Sequence, residues 1–150
     1  MTDLSTSPTG CTHLKLRQLN RLVTRHYEAA MASSSLKITQ YSLLAFVVKL
    51  GPVRAGDLAA AIQLDASTLS RNLQPLIERG LVRADAGDDG RSRIVEATDA
   101  GRLLRAQAQR AWKQAQLALN ERLGSSRVAT LHTLIDDCIG DLAEAPNPHD

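Results

Sequence analysis

A chain of 150 residues, 43% hydrophobic and 23% charged, has room for one domain with one main core and excludes disorder throughout. One Phe, two Tyr and one Trp exclude a stacking platform for single-stranded nucleic acid, which needs interleaved aromatics. A formal charge of +2 selects no partner class, and the longest apolar run, Leu43–Val48, is far short of the ~20 residues of a membrane helix.

Residues 1–11 and 143–150 are rich in Pro, Ser, Thr, Gly and Asn and read as tails. The stretch Met1–Pro8 has neither a basic start nor an apolar core, so no secretory signal is expected. A cytoplasmic location with Cys11 and Cys138 as free thiols follows as an expectation. Between the tails the pattern is helical. From His13 to Ala32, the residues Leu16, Leu19, Val23, Tyr27 and Ala30 recur at three- and four-residue steps and gather on one face of a first helix. Ser33-Ser34-Ser35 ends it. Thr39 is placed to cap a second helix, Gln40–Leu50, which Gly51-Pro52 stops.

A short third helix runs over Ala55–Ile62. Asp65 then offers a carboxylate to the free N–H groups of a fourth, Ala66–Arg79, and Gly80 supplies its left-handed C-terminal cap. Two extended pieces, Leu81–Ala84 and Arg93–Ala97, joined by the Gly- and Asp-rich stretch Asp85–Ser92, read as a hairpin. Thr98 caps a fifth helix reaching Leu123. Gly124-Ser125-Ser126 breaks the chain, and Val128, Leu131, Leu134, Ile135, Cys138, Ile139 and Leu142 mark the apolar stripe of a sixth, on which Cys138 is expected to be buried.

The order helix, helix, turn, helix, hairpin is a winged helix-turn-helix within a mainly α chain, with the fourth helix as the element that enters a DNA major groove. At 100° per residue, Leu69, Leu73, Leu76 and Ile77 turn inward together and Ser67, Thr68, Arg71 and Gln74 turn outward. Those outward types read base edges and grip phosphates, and they are also what any amphipathic helix shows to water. Pro75 deletes one helical N–H, so a bend is expected there. The hairpin tip, Asp88-Asp89-Gly90-Arg91-Ser92-Arg93, puts two arginines on a protruding loop suited to the narrow, electronegative minor groove. Asp89, two residues before Arg91, is placed to hold that guanidinium by a charge-assisted hydrogen bond. A solvated surface turn is the plainer alternative.

Asp57-Leu58-Ala59, Leu69-Ser70-Arg71-Asn72-Leu73, Leu76, Gly80-Leu81-Val82, Asp89-Gly90-Arg91-Ser92-Arg93 and Thr98-Asp99-Ala100-Gly101-Arg102 together resemble the MarR family of transcription regulators, from about Leu14 to Leu142. The resemblance implies a single domain, with a DNA-binding winged-helix lobe at about 36–98 and dimerisation helices at about 12–33 and 99–142. It implies a homodimer on a pseudo-palindromic double-stranded operator, acting as a repressor that a small-molecule effector or an oxidant releases. The DNA-contacting set is then Ser67, Thr68, Ser70, Arg71, Gln74, Asp89, Arg91 and Arg93. Arg54 stands where the family usually has a Ser or Thr cap, and Ala97 where it usually has Leu.

For the effector, a small apolar or phenolic molecule near Tyr27, Tyr41, Leu44 and Val48 is one expectation, though both tyrosines suit a core equally. The other is an oxidant. The hydroperoxide-sensing branch of the family has an N-terminal cysteine bonded by two tyrosines, and Tyr27 and Tyr41 fall at their positions. Counting back from Tyr27 puts that cysteine at His13, two residues and about 200° of helix from Cys11. A reversible intersubunit disulfide between Cys11 and Cys138 is the thiol-based alternative, and a winged helix serving only protein contacts is another.

No Gly-rich phosphate loop, nucleophile motif or close His and Cys spacing is present, so neither an enzyme nor a metal or cofactor is expected. From Arg54 to Val95, six Arg (54, 71, 79, 83, 91, 93) face six acids (57, 65, 78, 85, 88, 89). A neutral reader must rely on placement. The ends differ in sign: Lys15, Arg17, Arg21 and Arg25 mark the first helix, and Asp136, Asp137, Asp141, Glu144 and Asp150 follow Arg127. That asymmetry suits assembly of first and last helices across a dimer, or two ordinary solvated faces.

Overall fold

The computed structural model describes residues 8–143; Glu144 and Asp150, and all but the first residue of the C-terminal tail, lie outside them. Among the described residues nine elements follow in order: α1 (Thr12–Ala30), α2 (Ile38–Leu50), β1 (Val53–Arg54), α3 (Ala55–Ala61), α4 (Ala66–Glu78), β2 (Val82–Ala86), β3 (Arg93–Ala97), α5 (Asp99–Leu123) and α6 (Ser125–Ala143). The fold is a mainly α winged helix-turn-helix with long flanking helices.

α2 is apolar on nearly every side, and it is central: Tyr41, Leu43, Leu44 and Val47 are all buried. Its start differs from the expected cap at Thr39, which falls inside the first turn. The Ile38 N–H donates to Glu28 Oε1 of α1 at 2.9 Å, and the Lys37 N–H to Gln40 Oε1 at 3.1 Å. A carboxylate ten residues upstream thus does the capping.

β1 has two residues, too few to show an alternation, so the sequence pattern missed it. It pairs antiparallel with β3 (Val53 opposite Val95, Arg54 opposite Ile94), and β2 pairs with the other side of β3, giving the order β1-β3-β2. β2 also runs two residues past the expected Ala84, because Asp85 and Ala86 find partners in Ile94 and Arg93.

α4 is capped as the sequence predicts. Asp65 Oδ1 accepts from the Thr68 N–H at 2.7 Å and the Ser67 hydroxyl at 2.8 Å. At the far end Gly80 has φ 71°, and the Gly80 and Leu81 N–H groups donate back to Ile77 and Leu76, the Schellman arrangement. Pro75 does not end the helix; the Arg79 N–H still reaches the Pro75 carbonyl at 3.2 Å. Leu58, Leu69, Leu76, Val82 and Val95 close the core between α2, α3, α4 and the sheet.

α5 is capped by Thr98, whose Oγ1 accepts from the Gly101 N–H at 3.1 Å. The break before α6 is the single residue Gly124, φ 89°, because Ser125 and Ser126 already belong to the helix. α6 rests on α5 through Val128; Leu134, Ile135, Ile139 and Leu142 face solvent in the single protomer. Cys138 is exposed as well, a correction to its expected burial, since only the first part of the stripe meets α5.

Candidate nucleic-acid interface

The inner face of α4 is sealed by Leu69, Leu73 and Leu76. Period 3.6 therefore turns Ser67, Ser70, Arg71 and Gln74 outward, all exposed, with Thr68 half-buried beside them. Arg71 leans back one turn, one Nη donating to Thr68 Oγ1 at 3.3 Å, and Gln74 donates to Glu78 Oε1 at 3.2 Å. Among the described residues no carboxylate pairs with Arg71. The Thr68 N–H, then the Ser67 and Thr68 side chains, hold the Asp65 carboxyl below its ordinary range.

The wing tip is organised differently from the sequence expectation. Asp89 does not clasp the Arg91 guanidinium. Its Oδ1 accepts from the N–H groups of Arg91 (3.0 Å) and Ser92 (2.9 Å) and from the Ser92 hydroxyl (2.8 Å), while Arg54 Nη1 lies 3.9 Å from Oδ2. These bonds, the Ser92 N–H first, bring the carboxyl down to about 2. A side chain two residues before a turn reaches backbone more readily than a mobile guanidinium. Gly90, at φ 71°, completes the turn.

The wing's cations divide. Arg93 folds back, donating to the Ala84 carbonyl at 3.3 Å. Arg83 pairs with Glu96 at 2.7 Å, and Arg102 with the same carboxylate at 3.6 Å. The Arg91 side chain has no hydrogen bond or ion pair among the described residues and is exposed. Between α3, α4 and the wing runs a groove of about 310 Å³ with Gly56, Ala66 and Leu69 on its floor and Ser70, Arg91 and Arg93 around it. Arg71 on the recognition helix and Arg91 on the wing tip thus present exposed guanidiniums that, among the described residues, neither a carboxylate nor a backbone carbonyl holds.

The four residues expected around an effector do not share one cavity. Tyr27 lines a 460 Å³ cavity with Asn20, Thr24, Ser42, Asn72 and Trp112. Tyr41 and Val48 line another of 500 Å³ with Phe46, Lys49, Arg105 and Trp112. Leu44 is fully buried behind them in the core. Trp112 stacks on Tyr41 (centroids 6.0 Å apart, 22° between planes) and borders both cavities. The Tyr27 hydroxyl donates to Gln116 Oε1 on α5. Burial raises both tyrosine pKa values, and the Arg105 charge opposes the rise at Tyr41. Arg105 Nε is buried and has no partner among the described residues. Sequence reading missed Arg105, Trp112 and Asn72 as cavity residues; the seven-residue spacing from Arg105 to Trp112, two turns of one helix face, is the signal by which the first two could have been found.

Cys11 is the N-cap residue of α1 and is exposed. Sixteen residues of helix separate it from Tyr27, or about 24 Å along the axis. Among the described residues no cluster of three His, Cys, Asp or Glu is placed to hold a metal, and no helix is long and apolar enough to cross a membrane.

A three-helix core carrying a polar, cation-bearing fourth helix and an antiparallel wing is a winged helix-turn-helix DNA-binding protein. The sequence profile of the MarR family matches residues 34–92. MosR, a transcriptional regulator of M. tuberculosis crystallised in complex with DNA, is 30% identical, with 86% of this chain and 98% of that one covered at a TM-score of 0.71. A probable transcriptional regulator from Pseudomonas aeruginosa is 25% identical over 86% of this chain and 97% of its own, TM-score 0.75. A mutant MarR of E. coli complexed with operator DNA shares the fold at 18% identity, covering 85% and 92%, TM-score 0.74. No curated protein sequence matches significantly. The chain belongs to the MarR family and is a transcription regulator.

Proposed function

We propose that this regulator acts in the cytoplasm as a homodimer that represses by sitting on a pseudo-palindromic duplex operator. Each protomer would set α4 in a major groove and Arg91 in the adjoining minor groove. The observation that carries this is the exposure of Arg71 and Arg91, neither guanidinium tied to a carboxylate. Ser67, Thr68, Ser70 and Gln74 supply further polar contacts from α4, while Asp89 and Arg93 act through the wing backbone. Pairing of protomers is supported by the exposed Leu14, Leu16 and Leu22 of α1 and by Leu134, Ile135, Ile139 and Leu142 of α6, since apolar patches of that extent mark contact surfaces. Selection of bound sequences from random duplex DNA tests the reading: recovery of an inverted repeat supports it, and failure to enrich any sequence counts against it. Because the winged-helix segment is neutral, non-specific affinity should be weak, while the operator complex should be strongly salt-sensitive through a few phosphate contacts.

Release by a small apolar or phenolic effector is supported by the cavity around Tyr41 and Val48. Its apolar walls end at Lys49 and Arg105, two cations whose charge would attract the oxygen of a phenol. One observation favours an oxidant as a second reading: both cysteines are exposed in the protomer. A hydroperoxide would oxidise one thiol to the sulfenic acid, releasing an alcohol, and the second thiol would form the disulfide, releasing water. Absence of a disulfide dimer on a non-reducing gel after cumene hydroperoxide, with operator binding unchanged, disposes of this second reading. Operator binding that survives loss of both Arg71 and Arg91 would favour a winged helix used for protein contacts alone.

A further inference from the structure

Arg79, the C-cap residue of α4, reaches across 44 residues to Ser35 and donates to its carbonyl at 2.8 Å and its hydroxyl at 2.9 Å. Ser35 lies in the connector 31–37 between α1 and α2, and the connector is itself fixed. Met31 and Leu36 are buried in the core at 1% and 2% exposure. The Ser34 hydroxyl donates to the Met31 carbonyl at 2.9 Å, and Glu28 caps the start of α2. The last turn of α1, the connector and the first turn of α2 therefore form one body. The two-pronged guanidinium ties the end of the recognition helix to that body.

A lysine in this place would offer one ammonium without the planar fork that meets carbonyl and hydroxyl together. The clamp is also directional. Both of its acceptors belong to one residue, so rotation of α4 against α1 lengthens at least one bond. We propose that Arg79 is a positioning residue for DNA reading: its clamp on Ser35 sets the angle between α4 and α1, and hence the separation of the two recognition helices in a pair of protomers joined through α1. This rests on the paired-protomer reading above. Half-site separation is set by the geometry of the dimer, so a protein with fixed recognition helices accepts one spacing and rejects its neighbours.

The test measures binding to the selected operator and to versions with one base pair added or removed at its centre. Wild-type protein is expected to lose about tenfold or more on either altered duplex, the size of a ~1.4 kcal/mol misfit. Arg79→Ala and Arg79→Lys are both expected to flatten that preference to about threefold or less, with an unchanged salt slope. A residue that merely stabilises the fold would lower binding to all three duplexes equally. A phosphate contact would show Arg79→Lys behaving like wild type and Arg79→Ala losing about one unit of salt slope. Either result overturns the clamp, as does a wild-type spacing preference in both variants. Wild-type protein that binds all three duplexes alike, or none, overturns the paired-protomer reading and the clamp with it.

Discussion

Gly101 and Leu81 meet backbone to backbone: a Cβ on Gly101 would lie 2.0 Å from the Leu81 carbonyl oxygen. Three bonds hold this approach. The Thr98 N–H donates to the Leu81 carbonyl at 3.1 Å, the Thr98 hydroxyl to the Gly80 carbonyl at 2.6 Å, and the Gly101 N–H to Thr98 Oγ1. The first turn of α5 is thereby pressed onto the strap joining α4 to β2. Gly101→Ala should destabilise the protein by about 3 kcal/mol, the upper end for overpacking. Gly56→Ala, where nothing lies within 4 Å of the new methyl, should be neutral or stabilising by a few tenths of a kcal/mol or more. Thermal unfolding of the two variants side by side checks the contrast.

The arginines should separate on DNA by what already holds them. Arg71→Ala is expected to cost about 1–3 kcal/mol of discrimination on the selected operator, as for a bidentate base contact. Arg91→Ala should weaken binding most where the flanks are A·T-rich and the minor groove is narrow. Arg83→Ala, whose guanidinium is taken by Glu96, should change operator affinity little. Equal losses in all three variants would show a diffuse charge effect instead.

The wing-tip turn has an acid limit. Asp89 has its pKa lowered to about 2 in the folded chain, against an ordinary value of about 3.9. A depressed carboxyl favours the fold fully above the unfolded value, and that contribution fades as pH falls from about 4 through 2. The Ser92 and Arg91 amide resonances, which report the two backbone bonds, should titrate with a midpoint near 2. A midpoint near 4 would mean that the bonds are not kept in solution.

Trp112 is the one tryptophan of the sequence and borders both cavities between α2 and α5. A phenolic ligand in the Tyr41 cavity should therefore quench its emission and lower operator affinity over the same concentration range. Arg105→Met should weaken the quenching while leaving apolar ligands less affected, because it removes the cation and keeps the stem. Quenching without any change in DNA binding would separate this cavity from regulation.

Neutralising Asp136, Asp137 and Asp141 together should weaken the dimer several-fold at low salt and hardly at all at high salt, since exposed charges are screened beyond about 10 Å at 0.1 M. Sedimentation at the two ionic strengths decides it. Unchanged dimer affinity at low salt would reduce the charge asymmetry of α1 and α6 to two solvated faces.

The helices, their caps at Asp65, Gly80 and Thr98, the outward turn of Arg71 and the exposed tip at Arg91 were legible from the chain alone, because each depends on residues at most a few positions apart: a period of 3.6, a carboxylate before an N-terminus, a glycine after a C-terminus. The partners of the other charged groups were not legible. Asp89 chose backbone over guanidinium, Arg79 found Ser35, Glu28 rather than Thr39 capped α2, and two residues of β1 became a strand only beside β3. Tyr27 and Tyr41 fell into different cavities because α5 placed Trp112 between them. Such pairings are decided when helices distant in sequence are packed to the density of a solid. At that point the competition for each donor and acceptor depends on which atoms the core has brought within about 3 Å, and no local pattern records that.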